Sequence, residues 1–142
     1  MKNLRKIVIA ALLFSLCAAA QTTFQPKFPG DPAKSDSEEV ALGWLRTVTR
    51  AQKRYYKNMQ GKYAPSLRAL VGHGSFTKRM ANPDRGDYTA EFHSKKDGYS
   101  VTLVPKQFDP TRRSFYVDED GKIRVEEGKP ATASSPVLKA GS

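Results

Sequence analysis

Few side chains in this sequence have the types and spacing that chemistry requires. His73 and His93 are its two imidazoles, with no cysteine partner and no nearby His or carboxylate at metal-ligand spacing. Acid–base catalysis and metal binding need convergent partners, so both histidines are expected at the surface. Asp118, Glu119 and Asp120 before Gly121 look like the opening ligands of a calcium loop. Such a loop needs further oxygen donors and a distal bidentate carboxylate, whereas Gly121 leads directly into Lys122-Ile123-Arg124-Val125. Asp-Gly is a favoured dipeptide of tight hairpin turns, and a turn is the expectation. Ser66, Ser75, Ser100, Ser114, Ser134 and Ser135 lie in no nucleophile-elbow or serine–lysine motif. The sequence thus predicts no catalytic residue, no metal ligand and no cofactor, and the chain is expected not to be an enzyme.

Binding chemistry is better represented. Arg46, Arg50, Lys53, Arg54 and Lys57 form a basic stripe interleaved with Tyr55 and Tyr56, a combination that can grip a polyanion by charge and stacking. A charged outer face is also what any surface helix presents, and helical spacing turns Tyr55 inward. The whole chain carries 24 Lys+Arg against 14 Asp+Glu, a formal charge of +10. An excess of this sign favours anionic polymers or an anionic membrane surface as partners, and equally keeps a small domain soluble. No specific nucleic-acid recognition is expected.

These residues need elements to position them. Ser35 followed by Glu38 is a capping-box signature, with Asp36, Glu38 and Glu39 suited to the first turn of a helix. Val40, Ala41, Trp44, Leu45, Val48, Ala51, Tyr55 and Met59 then recur at three- and four-residue steps, which predicts an amphipathic helix from about Asp36 to Asn58. Gly61 is placed to stop it. Pro65 opens a short second turn with Leu67, Leu70 and Val71 facing inward, and residues 75–87 are expected to be mostly loop. Tyr88, Ala90 and Phe92 alternate with polar residues, and Tyr99–Val104 follows a Gly-bearing turn. Ser114–Val117 and Lys122–Val125 flank Asp118–Gly121, a second hairpin. The fold class is therefore α+β: one long amphipathic N-terminal helix packed on a small antiparallel sheet.

The ends differ in composition from this core. Lys2, Arg5 and Lys6, the apolar run Ile7–Cys17 and Ala18-Ala19-Ala20 match a secretory signal peptide, with cleavage between Ala20 and Gln21. The apolar run is shorter than the ~20 residues that cross a bilayer. Cleavage there removes Cys17, the sole cysteine, and leaves 21 basic against 14 acidic residues, a formal +7. The expected organisation is a signal peptide over 1–20, an extended Pro-rich leader over 21–34, one domain over 35–127 and a flexible tail over 128–142. Localisation is expected to be secreted or periplasmic.

In order along the chain, Leu45-Arg46-Thr47-Val48, Ala51-Gln52, Tyr55-Tyr56 and Gly61–Leu70 resemble the post-anchor portion of bacterial type IV pilins and type II secretion pseudopilins. Asp97–Leu103 resembles the pilin strand that begins Gly-Tyr, Arg113–Arg124 the C-terminal hairpin, and Pro130–Pro136 the tail. The resemblance covers about residues 38–138 and implies a pilin-like head acting by protein–protein contacts, with pilus or secretion-system components as partners. Pilins also carry a Gly before the leader cleavage point, an early Glu and one continuous apolar helix. Here Pro26, Pro29 and Pro32 interrupt any such helix, so the resemblance implies a head without the filament-forming stalk.

Overall fold

The computed structural model describes residues 23–141. The expected signal peptide and its cleavage point at Ala20 and Gln21 lie outside the described residues. Helix α1 spans Asp36–Asn58, as the periodicity predicts. The Ser35 hydroxyl accepts the Glu38 amide, while Asp36, Glu38 and Glu39 set negative charge against the positive end of the helix dipole. The reciprocal half of the box is displaced by one residue, since the Glu38 carboxylate accepts the amide of Lys34 at 2.8 Å instead of that of Ser35. At the other end the Gly61 amide donates to Tyr56, and Gly61 turns the chain at φ +80°, a conformation that glycine adopts without steric cost.

Five antiparallel strands follow as a meander: β1 (Asp84–Arg85), β2 (Tyr88–Lys95), β3 (Gly98–Pro105), β4 (Ser114–Asp118) and β5 (Arg124–Glu126). The segment 75–87, expected to be loop, contains a 3-10 turn at Lys78–Ala81 and the short strand β1. Gly86 at φ +73° forms the first position of a two-residue β1–β2 connection. Gly at that position is the signature of a type II′ hairpin, and it stands in the sequence as Arg85-Gly86-Asp87-Tyr88. The β4–β5 hairpin turns through Asp118–Gly121 as expected, with the Gly121 amide donating to Asp118.

Period-2 alternation sends Tyr88, Ala90, Tyr99, Val101, Leu103, Phe115 and Val117 to one face. Against that face α1 packs Ala41, Leu42, Trp44, Leu45, Val48 and Ala51, all buried. Each fully buried Leu or Val side chain contributes roughly 1.5–3 kcal/mol. Two residues assigned to the buried face are exposed: Val40 lies at the margin of the apolar arc, and Met59 caps the helix beyond its last turn. Phe76 and Leu42, which the periodicity did not assign to the core, are fully buried in it.

The segment from 128 to 141, part of the stretch expected to be a flexible tail, lies against the domain. Ala131 and Ser135 are buried, and the Ala131 amide donates to Ser114 on the sheet face opposite α1. Beyond them Val125 and Leu138 donate to Pro136 and Ile123, so residues 136–138 run along the free edge of β5. Gly141 donates to Gly30, which ties the tail to the leader. The leader is anchored in turn by Phe24 against the core, buried Ala33 and the Asp31–Arg46 ion pair. Composition gives little sign of this, because backbone amides and serine hydroxyls hold much of the tail, with Ala131 and Leu138 as its apolar contacts.

Candidate functional site

Four of the five residues of the basic stripe come together. Arg50, Lys53, Arg54 and Lys57 are exposed and, with Gly74 and Ser75, line an open cavity of about 310 Å³. Their i, i+3, i+4, i+7 spacing stacks them on one face across about 10 Å of helix. The second wall is the loop after Leu70, which comes so close that a Cβ on Gly74 would lie 3.6 Å from the Cα of Ala51. With φ at +59°, this position is suited to glycine.

Arg46 does not join the group. Its guanidinium pairs with Asp31 at 3.0 Å and borders a different cavity, with Gly30, Lys122 and Leu138. Tyr55 and Tyr56 also point elsewhere: Tyr55 packs on His73 at 4.8 Å between ring centres and Tyr56 on Tyr63 at 4.7 Å. Among the described residues the cavity is therefore cationic without an aromatic platform.

Among the described residues none of these four cations lies within ion-pair distance of a carboxylate, while Lys34, Arg46, Lys95, Lys106, Arg112, Arg113 and Arg124 all do. The two like-charge i, i+4 pairs, Arg50–Arg54 and Lys53–Lys57, each cost about 0.2–0.5 kcal/mol of helix stability. The helix dipole favours cations only within the last turn, which accounts for Lys57 but not for Arg50 or Lys53. The Arg50 guanidinium donates to Thr47 at 3.2 Å, which fixes its direction without neutralising it.

The remaining candidates resolve into structural roles. His73 is half-buried under Tyr55, and His93 is exposed on β2. Asp118 and Asp120 accept the amides of Asp120 and Lys122, and Glu119 pairs with Lys95 at 3.1 Å. The Glu119 carboxyl loses solvation, which raises its pKa, but its own amide, Lys95 and the Tyr99 amide outweigh that and hold it below the usual range. The serines named above include Ser114 and Ser135, whose hydroxyls are committed to Leu103 and Glu126. Among the described residues no three His, Cys, Asp or Glu side chains converge as metal ligands. No helix of the described residues is long and apolar enough to cross a membrane.

The most specific polar arrangement was not foreseen. Glu38, fully buried, receives a two-pronged contact from Arg113 at 2.9 and 2.8 Å, together with the amides of Arg113 and Lys34. Arg113 also donates to Pro32, and Tyr88 donates to the Arg113 carbonyl. The hydrogen bonds that Arg113 donates to Glu38 outweigh desolvation and raise the Arg113 pKa further, while burial pushes that of Tyr88 well above its ordinary value. The network joins leader, α1 and the start of β4. In the sequence Glu38 reads as an N-terminal helical acid, and nothing in its spacing points to a partner 75 residues away.

None of the protein-family models, curated proteins or solved structures compared with the chain matches it.

Proposed function

We propose that this chain is an exported, non-enzymatic, pilin-like protein that acts through protein–protein contacts in the periplasm or outside the cell. Its partners are pilus or type II secretion components. The observation that carries this reading is the order of the pilin-like segments and where each falls. Leu45–Tyr56 lies on α1, Gly61–Leu70 on the turns behind it, Asp97–Leu103 at β3, and Arg113–Arg124 across β4 and into β5. A long helix across one face of an antiparallel meander supports the same reading. Affinity purification of the tagged protein from its own cell envelope tests it. Repeated recovery of a pilin, pseudopilin or assembly component is the expected result; repeated recovery of none of these counts against it.

A second reading, an extracellular polyanion-binding module, is favoured by the cavity formed by Arg50, Lys53, Arg54 and Lys57, four cations with no ion-pair partner among the described residues. Arg46, part of the stripe in sequence, is spent on Asp31. Salt-sensitive retention on heparin tests this reading; indifference to both polymer and salt counts against it.

A further inference from the structure

We infer that the cavity on α1 is a binding site for an acidic polysaccharide, one whose sulfate or carboxylate groups are closely spaced. This inference rests on the polyanion-binding reading and names its ligand class. Arg50, Lys53, Arg54 and Lys57 concentrate four positive charges along about 10 Å of one helix face. A ligand that neutralises them must present several anionic groups over the same length.

The arginine forks favour oxyanions they can grip with two parallel hydrogen bonds, a geometry that carboxylate and tetrahedral oxyanions such as phosphate and sulfate all offer. The Ser75 hydroxyl on the opposite wall suits a ligand rich in hydroxyl groups. Single-stranded nucleic acid fits less well, because its non-specific binding combines charge with aromatic rings on which bases stack. Among the described residues no aromatic lines this cavity, and the two nearest tyrosines in sequence, Tyr55 and Tyr56, are engaged with His73 and Tyr63. A polysaccharide has no base to stack and loses nothing by their absence.

The test measures binding of the full chain to heparin by fluorescence anisotropy across a salt series, with a single-stranded oligonucleotide of matched charge as competitor. The variants are Arg54→Gln, the fourfold change Arg50→Gln, Lys53→Gln, Arg54→Gln and Lys57→Gln, and the controls Arg46→Gln and Lys96→Gln. Circular dichroism checks that each is folded. The site predicts a loss of about tenfold for Arg54→Gln and of more than a hundredfold at low salt for the fourfold variant, with a shallower salt dependence. Both controls should change affinity less than twofold, and Lys96→Gln serves alone if Arg46→Gln unfolds. Fourfold neutralisation that leaves heparin affinity within twofold would overturn the site. Oligonucleotide binding as tight as that of heparin would overturn the polysaccharide assignment while leaving polyanion binding intact. Retention of neither polymer at low salt would overturn both.

Discussion

The two ends of α1 treat charge in opposite ways. At the N-terminal end Glu38 is fully buried and Arg113 nearly so, with both carboxylate oxygens of Glu38 accepting from the Nε and Nη2 of Arg113 and from backbone amides. In the C-terminal half Arg50, Lys53, Arg54 and Lys57 stand exposed, in mutual repulsion and, among the described residues, without a carboxylate in reach. A desolvated pair fixes geometry, because removing either partner strands the other in a medium that solvates it poorly. A solvated like-charge row fixes nothing and stays available to a ligand. Charge at one end is thus a structural joint, and at the other an exposed surface.

Changes at the joint should cost most. Glu38→Ala leaves the Arg113 guanidinium without its partner and should lower stability by about 3–5 kcal/mol in urea denaturation. Replacing both, as Glu38→Met with Arg113→Leu, should recover much of that loss, since well-packed apolar substitutes often match a buried ion pair. A double variant as unstable as the single would show that the hydrogen bonds to Lys34 and Pro32 matter more than the pair itself.

Midway along the helix, Gln52 makes both bonds of a local lock, its amide donating to and accepting from the buried backbone of Ala64. Gln52→Ala should cost about 1–3 kcal/mol by leaving those groups unsatisfied, less than the loss of Glu38 and more than any change to the cation row.

A pH dependence follows from the tyrosines of the core. Burial raises the pKa of Tyr88 and of Tyr99 well above the ordinary tyrosine value of about 10. Above that pH the unfolded chain releases protons that the folded chain retains, so stability is fully present below about pH 10 and falls as pH rises beyond it. Denaturant midpoints should therefore decline on the alkaline side, and Tyr88→Phe should flatten the decline. A midpoint that does not move between pH 9 and 11 would contradict the burial of these hydroxyls.

The smallest effect belongs to the exposed end. Fourfold neutralisation of Arg50, Lys53, Arg54 and Lys57 to Gln should raise stability by no more than about 1 kcal/mol, the relief of the two like-charge i, i+4 pairs. A loss comparable to that of Gln52→Ala would make the row structural and erase the contrast between the two ends.

How far the sequence reveals this molecule depends on the kind of signal. The helix bounds are legible because apolar periodicity, Ser35 and Gly61 agree locally. The β2–β3 and β4–β5 hairpins are legible for the same reason, through alternation and Gly-bearing turns. The β1–β2 hairpin was legible in Gly86-Asp87 but was masked by Pro83 and the lack of any period around it. The Glu38–Arg113 joint and the docked tail depend on contacts between distant residues, held largely by backbone groups, and leave no periodic trace. The basic stripe was visible as a stripe, but the diversion of Arg46 to Asp31 depends on where the leader folds back.

The proposal of an exported pilin-like head without a stalk is tested most directly by the N-terminal sequence and intact mass of the native protein, taken with the cell fraction that holds it. It predicts a soluble chain beginning at Gln21. A membrane-bound chain that retains Ile7 to Cys17 would contradict it and make the head a tethered one.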